Sequence, residues 1–228
     1  MLFKQISLCF CMSLWGALLH AQRPKDFVNL REKIPSLVVS LHYGTQNNFM
    51  GRVVKGYEDP EPWATKQLAK ALQCAQAKLT QKGLGLILYD SYRPQKAVDH
   101  FVVWAANPAD TLNKAEYYPE YSKDQLFALG FIAFKSGHSR GSTVDVGLIQ
   151  WKEEGGFIVL DMGSPWDYFG DAAGLDFLGL TQEQRSNRLQ LQESMIDCRF
   201  KLYTKEWWHF TIKNEPYPNT YFNFSTQP

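Results

Sequence analysis

Two segments of alternating hydrophobicity, residues 143–149 and 156–160, are joined by nothing longer than the turn-like run Lys-Glu-Glu-Gly-Gly at 152–156. A connection that short has the form of a turn, so the second segment can be the sheet neighbour of the first. Other strand-like stretches are the alternating 36–43 (Leu37, Val39, Leu41 and Tyr43 on one side), the apolar run 84–92, and a final strand at 207–213. Between them stand helical patterns. Pro60 and Pro62 open one that carries Leu68, Leu72, Ala75 and Leu79 at four-three-four spacing, closed by Gly83. Pro94 starts a second, with Ala97, Phe101 and Trp104 along one face. Thr181 with Gln184 forms a capping box for a third that runs to Phe200. The stretch 107–135 is expected to be a loop with a short helix at 124–129. Several strands close in sequence without regular helical crossovers predict an α+β domain, its central sheet mainly antiparallel and flanked by helices.

The first 21 residues have another purpose. A single cation, Lys4, precedes an apolar run over 6–19, and small Ala21 offers a cleavage point, the pattern of a signal peptide. Fourteen residues fall short of the roughly 20 that span a bilayer. Bulky Leu8 and Phe10 before Cys9 and Cys11 argue against a lipoprotein anchor. The expected product is one domain over 22–228, exported to a periplasm or secreted, with no membrane span after signal removal. Hydrophobic residues at 45% and charged residues at 21% exclude wholesale disorder. Lys plus Arg at 24 against Asp plus Glu at 23 argues against a nucleic-acid binder working through a basic face. Export would leave two cysteines, Cys74 and Cys198. In an oxidising compartment they could pair, but both lie in helical patterns, where a buried free thiol is the plainer expectation.

Three segments carry chemistry. In Ser136-Gly-His138-Ser-Arg-Gly-Ser-Thr-Val-Asp145, two glycines and β-branched Thr143 and Val144 point to a loop entering a strand. On that strand Val144, Val146 and Leu148 face the core and Asp145 faces away. A carboxylate beside a loop imidazole suits a borderline-soft cation such as zinc. The alternative is an ordinary turn in which Asp145 bonds nearby backbone. In Glu206-Trp-Trp-His209-Phe, a strand puts Trp208 and Phe210 on one face and His209 on the other, free to add a ligand. Glu206 lies three residues earlier, so it shares His209's side only if it sits at a bend before the strand. In Asp90-Ser-Tyr-Arg93-Pro, a strand-to-helix junction sets Arg93 at a sheet end, where a guanidinium holds a carboxylate or a developing oxyanion; a plain salt bridge is the alternative.

Together these three motifs, in this order, resemble the zinc D-alanyl-D-alanine dipeptidases, a group within the wider set of D,D-peptidases, lysostaphin-type endopeptidases and hedgehog signalling domains. The resemblance runs from about Tyr43 to Phe210. It implies a zinc ion, one per chain, held by His138, Asp145 and His209, with Glu206 as general base and acid and Arg93 as the transition-state cation. It also implies substrate contacts from Ser136, from Asp167 in Met-Gly-Ser-Pro-Trp-Asp at 162–167, and from Tyr43 and Tyr57. The implied substrate is a small D,D-dipeptide. The rival readings are a D,D-carboxypeptidase or endopeptidase acting on peptidoglycan stem peptides, and a zinc-binding interaction module. Glu206 beside the ligand set speaks against the last, since a structural zinc needs no base.

Overall fold

The computed structural model describes residues 22–228, so the expected signal peptide at 1–21 lies outside the described residues. The chain opens with β1 (Phe27–Asn29), α1 (Leu30–Lys33), β2 (Val38–Val39), β3 (Trp63–Thr65) and α2 (Lys66–Thr80). It continues through β4 (Leu84–Asp90), α3 (Gln95–Ala105), α4 (Lys114–Tyr117), α5 (Lys123–Leu129) and β5 (Thr143–Trp151). The last elements are β6 (Phe157–Val159), α6 (Gln182–Asp197), β7 (Phe200–Tyr203) and β8 (Glu206–Ile212).

Six strands form the main sheet in the order β2-β4-β5-β8-β7, with β6 paired to β5. Only β2 runs parallel to its neighbour, so the sheet is mainly antiparallel, as the strand spacing predicts. Strand β4 is buried along its whole length and β5 along its first seven residues, which explains their near-continuous apolar sequences. Helix α2 packs Leu68, Leu72, Ala75 and Leu79 against this sheet, while α3 buries Ala97, Phe101 and Trp104.

Boundaries depart from the sequence pattern in three places. The alternation at 36–43 yields a strand of only Val38–Val39, after which a single 3-10 turn over His42–Gly44 carries Tyr43 inward. Tyr43 is buried because its hydroxyl donates to Asp167, a contact that no local periodicity announces. The first helix starts at Lys66, not at the prolines, because Trp63–Thr65 pairs with β1 and the Thr65 hydroxyl caps Leu68 N–H at 3.3 Å. The capping box at Thr181 and Gln184 forms, but α6 stops at Asp197. Arg199 takes a left-handed φ of 71° and turns the chain into β7, which the apolar Phe200 had disguised as helix.

Cys74 on α2 and Cys198 at the end of α6 form a disulfide, with Cα atoms 5.8 Å apart, where the helical patterns had favoured free thiols. The helices pack side by side, which is what brings together two cysteines 124 residues apart. A second aromatic cluster of Phe27, Trp63, Tyr92 and Phe224 sits under the C-terminal tail. The tail is tied down by Phe222 N–H donating to Ser139 C=O at 2.8 Å and Gln95 N–H donating to Phe222 C=O at 3.0 Å. Those bonds anchor the loop of 137–140 to the start of α3.

Closing so long a loop restricts the unfolded chain by about 5 kcal/mol in the chain-entropy limit. Replacing both Cys74 and Cys198 by Ser should therefore lower the melting temperature by on the order of 10 °C. Differential scanning calorimetry of the oxidised protein and the double variant checks this; equal melting temperatures would show that the bridge contributes nothing.

Candidate metal centre

The centre is built where three elements meet. In the register of β5 and β8, Asp145 stands directly opposite His209, so both side chains leave the sheet on the same side. His138 comes from a 3-10 turn, Gly137–Arg140, that leads into β5. Gly141 closes this turn with a φ of +70°, and a Cβ there would collide with the Phe27 ring, so the turn requires glycine twice over.

His138 Nε2 lies 3.2 Å from Asp145 Oδ1 and 3.4 Å from His209 Nδ1, while His209 Nδ1 lies 3.1 Å from Asp145 Oδ1. Despite that closeness, Asp145 Oδ1 is buried without a hydrogen-bond partner among the described residues. Three lone-pair atoms thus converge on one point. Their separations match the roughly 3.3 Å edge of a tetrahedron with bonds of about 2.0 Å, the geometry that zinc takes with nitrogen and oxygen ligands. His138 Nδ1 is 2.8 Å from the Ser91 carbonyl, which can only accept, so the ring's proton is on Nδ1 and Nε2 is left bare for a metal. Asp145 Oδ2 accepts from Trp166 Nε1 at 3.3 Å, which fixes the carboxylate. The donor set fits a zinc ion.

Glu206 begins β8, at a register irregularity against β7. That bend brings its Oε2 to 3.4 Å from His209 Nδ1, on the side that a flat strand would deny it. Burial, with the Asp145 charge adding to it, pushes the Glu206 carboxyl up to about 8. Such a group exchanges a proton readily near neutrality.

Arg93 is clamped from behind. Its Nε donates to Asp90 Oδ2 at 2.9 Å and its Nη2 lies 2.9 Å from the same oxygen. Nη2 also reaches Tyr43 Oη at 3.4 Å and stands 3.7 Å from Asp145 Oδ2. The guanidinium is aimed at the metal position and cannot swing away without abandoning a fully buried carboxylate. Asp90 is the member of this network that the sequence motif contained without its role being visible; its Oδ1 accepts from Tyr57 Oη at 2.7 Å. Tyr57 therefore sits behind the cavity as a support for Asp90, and its side chain is not among those that line it.

The cavity, of ≈ 200 Å³, is walled by Tyr43, Arg93, Ser136, Asp167 and Glu206 together with the three ligand residues. Ser136 caps the 3-10 turn, its Oγ accepting from His138 N–H at 3.3 Å. Asp167 holds a left-handed φ of 65° and accepts from Tyr43 Oη at 2.7 Å. Burial pushes its carboxyl well above the usual range, the Arg93 charge pulling the other way. A buried carboxyl in a strained backbone position is one that an incoming cation would stabilise in its charged form.

Residues 23–227 match the peptidase family described as D-ala-D-ala dipeptidase. A D-alanyl-D-alanine dipeptidase of Enterococcus faecalis is 40% identical over 199 residues, 87% of this chain and 97% of its own length. One from Streptomyces coelicolor is 38% identical over the same shares, and one from Escherichia coli is 30% identical over 82% of this chain and 84% of its own. Among solved structures, a mutant of the vancomycin resistance D,D-pentapeptidase VanY in complex with Zn(II) covers 66% of this chain and 73% of its own, at 14% identity and a TM-score of only 0.39.

Removing the Asp90 carboxylate strands both the Arg93 charge and the Tyr57 hydroxyl. Asp90→Ala should cost about 3–5 kcal/mol of stability, against about 1 kcal/mol for Tyr57→Phe, which removes a single hydrogen bond. Urea unfolding of both variants measures the difference. Equal losses would mean that the Arg93–Asp90 pair is no anchor.

Proposed function

The chain belongs to the D-alanyl-D-alanine dipeptidase family, and on that premise we propose that it is an exported zinc enzyme selective for the free dipeptide, with Glu206 as its proton carrier. Hydrolysis of D-alanyl-D-alanine to two D-alanines is the activity of relatives that match almost end to end at 37–40% identity. The observation that carries the reading is the convergence of His138, Asp145 and His209 beside Glu206 in a small cavity whose wall includes Asp167.

His138 Nε2, His209 Nδ1 and an Asp145 carboxylate oxygen would hold the ion, one per chain. When bound, zinc supplies a Lewis acid that polarises a carbonyl and acidifies a water to a pKa of about 7. Glu206 takes the proton from the attacking water on its carboxylate and later delivers it to the departing amine nitrogen. Its buried setting keeps bulk water from competing for that proton. Arg93, held rigid by Asp90, faces the oxygen on which negative charge develops; one well-placed donor of this kind lowers the barrier by about 3 kcal/mol. Asp167 receives the substrate ammonium, with the Tyr43 hydroxyl fixing its carboxylate and Ser136 lining the adjacent wall. Burial pushes the Asp167 carboxyl above its usual range, and a substrate ammonium beside it would favour the charged form.

Export rests on two supports. The pattern at 1–21 is that of a signal peptide, and the Cys74–Cys198 bridge suits an oxidising compartment such as a periplasm or the cell exterior. No helix among the described residues is long and apolar enough to cross a membrane.

Two experiments test the site. Glu206→Gln should retain zinc yet lose about 10²- to 10⁴-fold in kcat, because an amide cannot carry the proton. His209→Ala should lose zinc itself. Steady-state kinetics with metal analysis on each variant separates the roles, and a Gln variant close to wild type in kcat would make Glu206 structural. The second concerns size selection. A longer or acetylated substrate puts a neutral amide where Asp167 expects a cation, leaving a buried carboxyl without its countercharge. N-acetyl-D-Ala-D-Ala should therefore have a kcat/KM about 10²- to 10³-fold below that of free D-Ala-D-Ala. Equal rates on both would favour a D,D-carboxypeptidase acting on stem peptides.

A further inference from the structure

A D,D-dipeptide is a zwitterion about 7 Å long in its extended form, and the contacts assigned above receive only its ammonium end. Apart from the histidines, the cationic side chains lining the cavity among the described residues are Arg93 and Lys135. Arg93 is already engaged by Asp90 and faces Asp145. Nearby Arg140 is held by Glu215 at 2.6 Å. Among the described residues no carboxylate pairs with Lys135. Its ammonium instead rests over the Tyr221 ring, 4.9 Å from the centroid, a position it shares with the Arg140 guanidinium at 5.6 Å. Exposed and without a carboxylate partner among the described residues, Lys135 is able to turn its ammonium toward an anion.

Its place in the chain sets where that anion would lie. Lys135 directly precedes Ser136, the cap of the turn that carries His138, so it stands in the cavity wall beside that turn. Asp167, at 6% exposure, is a buried part of the wall, whereas Lys135 is exposed. A zwitterion entering this gradient goes ammonium first, and its carboxylate stops at the rim.

We propose that Lys135 is the receptor for the terminal carboxylate of the substrate, which makes it a specificity-determining residue for dipeptides with a free C-terminus. This rests on the dipeptidase reading above. It commits the cavity to reading both charges: the ammonium at a buried carboxyl, the carboxylate at an exposed ammonium.

The test compares D-Ala-D-Ala with D-alanyl-D-alaninamide, which keeps the ammonium and the scissile bond but has no terminal charge. Wild type should favour the acid by about 10-fold or more in kcat/KM. Lys135→Met should collapse that ratio toward unity, chiefly through a raised KM for the acid, Lys135→Arg should restore most of it, and Lys135→Glu should favour the amide. Zinc content and melting temperature, measured on each variant, exclude a merely structural effect. A Lys135→Met enzyme that keeps the wild-type acid-to-amide ratio overturns the assignment while leaving the dipeptidase reading intact. A wild-type enzyme that cleaves neither compound would instead sink the dipeptidase reading, and this inference with it.

Discussion

The pairing of Asp145 with His209 across β5 and β8 is the constraint on which the site depends. A one-residue slip of β8 along β5 would send His209 to the opposite face, away from Asp145, and bring Phe210 out of the core. Burial of Val144, Val146 and Leu148 on one side and of Trp208, Phe210 and Ile212 on the other therefore does chemical as well as structural service. It locks two ligand atoms in place before any metal arrives. His138 is then added by a turn whose conformation is dictated by Gly141 and whose backbone is tied to the C-terminal tail through Ser139.

Concentrating Asp90, Asp145, Asp167, Glu206 and Arg93 in a buried region is unfavourable for folding unless each charge finds a partner. Arg93 offsets much of it by touching Asp90, Tyr43 and Asp145 at once. What remains uncompensated is informative. Asp145 Oδ1 has no hydrogen bond among the described residues, Asp167 has a left-handed backbone and a carboxyl pushed up by burial, and Glu206 is raised toward neutrality. These are the three places at which a metal, a substrate ammonium and a reacting water would each restore the balance. Unsatisfied groups in an otherwise well-paired core mark where ligands belong.

The sequence was legible wherever local rules sufficed. The α+β class, the faces of α2 and α3 and the capping box of α6 follow from spacing and turn chemistry alone. Strand β7 was hidden because Phe200 continues an apolar pattern, and only the left-handed Arg199 ends the helix. The disulfide was hidden because its geometry is a property of how α2 and α6 pack. At the site, the motif strings name His138, Asp145, His209, Glu206 and Arg93, but they cannot say which tyrosine faces the cavity. Tyr43 and Tyr57 come from one segment, and tertiary packing sends one hydroxyl to Asp167 and the other to Asp90. Lys135 escaped notice because a lone exposed lysine carries no pattern; its meaning comes from the wall that it stands in.

The central claim is that His138, Asp145 and His209 form a zinc site built before the metal binds. Anomalous scattering at the zinc edge from crystals of the protein as purified tests it most directly. The account predicts a single strong peak about 2.0–2.2 Å from His138 Nε2, His209 Nδ1 and an Asp145 carboxylate oxygen, with Glu206 close by but not coordinating. No peak there after zinc is added, or a peak held by Glu206 in place of Asp145, would contradict it.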